Sequence, residues 1–298
     1  MSERVGPLLA ERWRPPAPVR TAVLLHGIGL GPWFWEPWAL PFVAAGVEAV
    51  ALALPGHDGE RADVGLAACV DAVEAALDTF PGPVALVGHS MGGLVAQLVA
   101  TRRALAGLAL VCALPPGNVF HYTTRAGLRG AGALARDVLA GRPVVPGWDT
   151  YRGVGLAEIE EARAREVFDR IVPWPNRLVR ELALRRPVLD PLAVRSPVLV
   201  ALGARDRLVD WRRARVLGDL YEGTVWRYDD VGHMPPWEPG GERMGRDVAA
   251  WCAAPARPVV LESEGFGPGE GVGTEVRRRR RGEEAKKRSA YGQKRSAR

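Results

Sequence analysis

The chain has 298 residues, 47% hydrophobic and 25% charged, which is enough to bury a large core as one α/β domain with an insertion or as two domains. Composition and charge narrow the classes further. No apolar run of about 18 residues occurs, so no membrane-spanning helix is expected. The net charge of +6 lies entirely in residues 263–298, which hold 11 basic and 5 acidic residues, leaving 29 of each sign before them. Every lysine (Lys286, Lys287, Lys294) also lies there, so the body has no P-loop lysine, Schiff-base lysine or pyridoxal site. Three cysteines (Cys69, Cys112, Cys252) without C-x-x-C spacing suit reduced core residues, and the five histidines lack metal-ligand spacing. No cofactor and no metal are implied. The start, Met1 to Pro7, lacks the apolar core of a signal peptide, and a cytoplasmic location is expected.

In chain order, Leu8–Trp13 offers a short edge strand and Val19–Leu25 the first convincing one. The latter runs into His26-Gly27-Ile28-Gly29, a tight turn at the carboxyl end of a strand, where open α/β sheets place their sites. Taken alone it reads equally as an ordinary strand-to-loop turn. Pro32 to Trp38 is dense in aromatics; Trp33 and Trp35 are candidate substrate contacts, weighed against plain packing. A helix over Trp38–Ala45 stops at Gly46. Val47–Leu54 is a second strand ending at Pro55-Gly56-His57-Asp58-Gly59, and Leu66–Phe80 a helix with Asp71, Glu74 and Asp78 on its polar side.

Val84–Val87 then reads as a buried strand and Leu94–Ala100 as a helix, with Gly88-His89-Ser90-Met91-Gly92-Gly93 between them. With 35 glycines in the chain the bare G-x-S-x-G pattern carries little weight; the strand before and the helix after carry it. A serine on such a turn is forced into an unfavourable backbone conformation, and flanking glycines remove the side chains that would clash. The turn holds the hydroxyl clear of the sheet and aims the Met91 amide at any negative charge forming beside it.

Gly107–Ala113 is another buried strand, and the alternation of strand and helix argues for a mainly parallel, doubly wound sheet. It breaks at Pro115-Pro116-Gly117. Helical patterns follow over Thr124–Leu139, Leu156–Ile171 and Arg177–Leu184, with no further parallel strand until Pro197–Leu202. The expected division is a core of 1–114 with 187–262, a helical cap over 115–186, and a disordered basic tail over 263–298. After Pro197–Leu202 come Asp206 in its loop, a helix over Trp211–Leu220, and a last strand, Gly223–Tyr228. His233 lies in the loop beyond it and Arg243–Cys252 closes the fold.

Three strand ends thus supply Ser90, Asp206 and His233. A serine hydroxyl attacks poorly unless an imidazole removes its proton, and the imidazole needs a carboxylate to fix its tautomer. Asp210 competes with Asp206 but abuts the next helix as its N-cap; Asp229 and Asp230 lie close to His233 along the chain. His26 and His89 read as turn-packing residues, and His57 and His121 lack a motif of their own.

The order Ser…Asp…His on these strand ends resembles the α/β-hydrolase fold superfamily, over roughly residues 19–253, with the elbow similar to that of serine esterases and lipases. The resemblance implies that Ile28 donates a second oxyanion amide beside Met91. It implies hydrolysis of an ester, thioester, lactone or amide of a small, apolar acyl substrate through an acyl-enzyme on Ser90. Relatives that cleave halides or epoxides use an aspartate where this chain has Ser90. The alternatives are carbon–carbon bond hydrolysis and an idle fold kept for binding. The tail, with one Tyr and one Phe, offers nucleic acid no more than weak electrostatic contact.

Overall fold

The structure, a computed structural model, describes residues 2–58, 63–119 and 135–257. His121, the greater part of the helix expected from Thr124, and the basic tail lie outside the described residues.

Eight strands form one sheet in the order β1-β2-β4-β3-β5-β6-β7-β8. β1 (Ser2–Val5) and β2 (Leu8–Trp13) form a hairpin. β2 pairs antiparallel with β4 (Val47–Leu52), and every later pairing is parallel, through β3 (Arg20–Leu25), β5 (Ala85–His89), β6 (Gly107–Val111), β7 (Val198–Gly203) and β8 (Thr224–Tyr228). β1 was not expected: four residues with a Glu and an Arg among them carry no apolar run. The register aligns Leu25 with Gly88, His89 with Val111, and Gly203 with Tyr228, so the loops after β3, β5, β7 and β8 leave from one edge.

The alternation within each strand divides the side chains between two faces, one of them rich in alanine. One face carries Val23, Leu25, Val50, Leu52, Leu86, Leu108, Leu110 and Val200 under helices α2 (Leu66–Leu77) and α3 (Met91–Arg102). The other carries Ala22, Ala49, Ala51, Ala85, Ala109 and Ala201, interspersed with Leu24, Val47, Val87, Val111 and Leu199. That shallow floor leaves room for Phe34, Trp35, Trp38 and Phe42, which come from a 3₁₀ segment, Pro32–Trp38, and helix α1 (Ala39–Ala44). Each large aromatic so buried contributes about 1.5–3 kcal/mol through the area it removes from water.

Between β6 and β7 the chain leaves the sheet. Residues 135–139 are helical, and the helices that follow are α4 (Trp148–Val154), α5 (Glu161–Asp169) and α6 (Asn176–Leu184). The single helix expected over Leu156–Ile171 is corrected to α5 alone. Glu160 accepts hydrogen bonds from the amides of Ala162 and Arg163 and so sets the helix start there, while Leu156 and Ile159 are turned into the core. Beyond β7, α7 (Trp211–Ala214) and α8 (Val216–Tyr221) replace the one helix expected, and α9 (Gly241–Ala253) packs on the aromatic face.

Candidate active site

Ser90 occupies the turn between β5 and α3 with φ +51° and ψ −118°, a conformation that costs a non-glycine residue about 1–3 kcal/mol. The glycines around it are required by contact. A Cβ on Gly88 would lie 2.5 Å from the Gly92 oxygen, and one on Gly92 would lie 2.4 Å from the His26 oxygen. The Ser90 amide donates to Val111 O at 3.2 Å, and its carbonyl accepts from Leu114 N at 2.9 Å, so the end of β6 and the residues just past it hold the strained turn.

His233 and Asp206 arrive from the loops after β8 and β7. His233 Nε2 is 3.2 Å from Ser90 Oγ, and His233 Nδ1 donates to Asp206 Oδ2 at 2.8 Å. Asp206 Oδ1 accepts from the amides of Leu208 and Val209, both at 2.8 Å, which leaves Oδ2 for the imidazole. Burial alone would lower the pKa of His233, but the charge and hydrogen bond of Asp206, with the charge of Glu238, outweigh it and the net shift is upward. Asp210 lies elsewhere in role: its carboxylate accepts from Arg212 N at 3.0 Å, at the start of α7.

Met91 and the turn before Ile28 both lie beside Ser90. Met91 opens α3, so its N–H has no carbonyl one turn back. Gly27, which precedes Ile28, lies so near Ser90 that a Cβ on it would be 3.1 Å from Ser90 Cβ. The insertion reaches the same loop: Val172 N donates to Gly29 O at 2.9 Å, and the Trp174 indole covers Gly29.

Trp35 is corrected as a substrate contact. It has no exposed surface and packs on Phe34, Trp38 and edge-on to His89, because the alanine floor beneath it admits a whole indole. Trp33 is half-buried with one face under the Arg170 guanidinium, 4.4 Å away, while Arg170 also grips Glu36 at 2.7 and 3.0 Å. His26 packs the turn, as expected, donating to Gly27 O at 2.8 Å and accepting from Leu54 N at 3.1 Å. His89 does more than pack. Its Nε2 donates to the His233 carbonyl at 2.7 Å, a link across 144 residues that no local signal announces.

Glu238 was not singled out from sequence. It is buried, with one oxygen on the Gly232 amide and the other on the Met234 amide at 2.8 Å, on either side of His233. Among the described residues no His/Cys/Asp/Glu group could hold a metal ion, and no helix is long and apolar enough to cross a membrane.

The family model described as alpha/beta hydrolase family matches residues 22–251. A pimeloyl-[acyl-carrier protein] methyl ester esterase of Aromatoleum aromaticum is 32% identical over 241 residues, covering 72% of this chain and 90% of that protein. Among solved structures, an esterase from Exiguobacterium antarcticum superimposes with a TM-score of 0.66 at 18% identity, over 82% of this chain and 95% of its own. A thermophilic esterase from Thermogutta terrifontis gives 0.64 at 19%, over 84% and 97%. At these identities the structural likeness speaks for the fold.

Proposed function

The chain belongs to the alpha/beta hydrolase family and is an esterase- or lipase-like hydrolase, and from that premise we propose that it cleaves its ester through an acyl-enzyme on Ser90. One observation carries the reading: Ser90 Oγ, the His233 ring and the Asp206 carboxylate form a continuous hydrogen-bonded line of 3.2 and 2.8 Å.

In this mechanism His233 Nε2 takes the hydroxyl proton as Ser90 Oγ bonds to the ester carbonyl carbon. Asp206 holds the Nδ1–H tautomer and stabilises the imidazolium. The carbonyl oxygen becomes an oxyanion facing the amides of Ile28 and Met91, and the dipole of α3 adds to their effect. When the bond to the leaving alcohol breaks, His233 returns the proton to that alcohol. Water then repeats the sequence on the acyl-serine and releases the acid.

Residues 115–186 act in this reading as a cap that closes over the acyl substrate. Support comes from its contacts with both catalytic loops: Val172 and Trp174 on Gly29, and Glu158 with Arg205 and Arg207 on either side of Asp206 at 3.4 and 3.1 Å. The substrate is a small, apolar acyl ester. The Aromatoleum relative is named for a methyl ester on a carrier-bound chain, so methyl esters belong in the test beside chromogenic esters of graded length.

The expected outcome is that Ser90→Ala folds normally and loses kcat by about 10⁴-fold or more on the best substrate of the panel. A fluorophosphonate should label the wild type at Ser90 and leave the variant unlabelled. Near-normal turnover by a folded Ser90→Ala protein would remove Ser90 from the mechanism.

A further inference from the structure

The backbone around His233 is gripped by three buried side chains from three parts of the fold. His89 Nε2 donates to the His233 carbonyl at 2.7 Å. Cys112, itself held at φ +43° just past β6, donates from Sγ to the Gly232 carbonyl at 3.4 Å. Glu238 accepts from the Gly232 and Met234 amides, one on each carboxylate oxygen. His89 and Cys112 hold carbonyls; Glu238 alone among the three holds the two N–H groups that bracket the histidine. It reaches back to them over a short 3₁₀ turn, Pro235–Trp237.

We propose that Glu238 is a positioning residue for the hydrolysis, its carboxyl group fixing the peptide groups on both sides of His233 and thereby the line from Nε2 to Ser90. The inference rests on the serine mechanism above. A purely structural acid would be replaceable by a neutral group of the same shape. Glu238 is not, because two amide donors need two acceptor oxygens, and an amide or a protonated carboxyl presents a hydrogen to one of them. Burial is the larger influence and pushes the Glu238 carboxyl up to about 7, against the two amides that favour its charge. The charged groups around it are Asp206 and His233 on the inner side. On the outer side Glu160, Arg163 and Glu242 line the same cavity of about 360 Å³ beneath Trp237.

The sign of its effect on the base follows. A carboxylate at Glu238 raises the pKa of His233, so removing it moves the acid limb of kcat/KM to lower pH while the maximum falls. The test uses the full chain with Glu238→Gln, Glu238→Asp and the control Glu242→Gln, whose carboxylate is exposed and pairs with Arg246 one turn on. Wild type and Ser90→Ala are run beside them, so that a failed serine mechanism shows itself separately as an active Ser90→Ala.

Glu238→Gln is expected to lose kcat by roughly ten- to a hundredfold with KM within about twofold, and to shift the limb downward. Glu238→Asp keeps the charge but is too short for both amides, so it should lose kcat with the limb in place. Glu242→Gln should match the wild type. If Glu238→Gln does not fold, Glu238→Asp decides on kcat, its limb being expected in place either way. Wild-type kcat and an unmoved limb in the folded variants, with Ser90→Ala inactive, would overturn the assignment of Glu238.

Discussion

Two pairs of buried histidine rings stand at the carboxyl edge of the same sheet. His26 and His57 meet edge-to-face at 5.1 Å, on the loops after β3 and β4; His89, the last residue of β5, and His233, on the loop after β8, lie 4.9 Å apart. All four are buried, and burial pulls each toward the neutral form. Their hydrogen-bond partners separate them. His26, His57 and His89 face backbone carbonyls, of Gly27, Pro55 and His233, whereas His233 gives its Nδ1–H to a carboxylate. Burial with the neighbouring ring carries His26 down to about 3, while His233 ends above its ordinary value. A buried histidine is therefore a neutral strut by default, and one carboxylate in hydrogen-bond reach turns it into a base that can hold a proton during a reaction.

The largest expected effect is obtained by removing that carboxylate's charge. Asp206→Asn should lower kcat by about 10²–10⁴-fold with KM changed much less, since the imidazolium loses its counter-charge and the amide admits the wrong tautomer. It should also make His233 behave like its neighbour. In the wild type, activity rises with pH as His233 loses its proton, through a value above 6.5. Without the Asp206 charge burial dominates, so the limb should move to lower pH. A variant whose limb stays in place would mean that another group sets it.

The second effect is on stability, and it comes from the other pair. His26 is neutral in the fold to about 3 but takes a proton in the unfolded chain below about 6.5. Its contribution is present above 6.5 and is lost as pH falls from there toward 3. His26→Asn should remove the bond to Leu54 N and cost about 1–3 kcal/mol at neutral pH. It should also flatten the acid slope of the thermal midpoint between those pH values and leave the pH dependence of kcat/KM unmoved. A shifted kinetic limb in His26→Asn would erase the distinction between the pairs.

How far this contrast was legible beforehand differs from residue to residue. The elbow could be read because its serine and glycines keep a fixed spacing within six residues, Gly88 to Gly93, even though the contact that requires Gly92 comes from the distant His26 backbone. Asp206 and His233 could be read because polar residues just past apolar strand runs share one sheet edge whenever the strands are parallel. Glu238 and His89 carry no such mark: each acts by holding backbone of the His233 loop, and backbone has no residue-specific signature. The sequence His233-Met234-Pro235-Pro236-Trp237-Glu238 did offer a hint, an acid one tight turn past the base. The insertion was least legible, because its helices are short and the start of α5 is set by one side chain, Glu160, which periodicity averages away. Trp35 misled for a different cause. The aromatic run shares its cluster with alanines of five strands, three of them far from it in sequence.

The smallest expected effect belongs to the acid four residues past Asp206. Asp210 has the same charge and the same loop, but its carboxylate is turned onto Arg212 N at 3.0 Å, where it satisfies an amide at the start of α7. Asparagine caps helices about as well as aspartate, because its side-chain oxygen accepts the same bond, so what is lost is the interaction of a negative charge with the helix N-terminus, a few tenths of a kcal/mol. Asp210→Asn should therefore keep kcat, KM and the acid limb within experimental error, with a thermal midpoint lower by at most a degree or two. The pair Asp206→Asn and Asp210→Asn thus removes one charge each from neighbouring positions of one loop, and only the first should be felt at Ser90. If the Asp210 variant is the crippled one, distance along the chain has been mistaken for distance in space, and the base takes its carboxylate from α7.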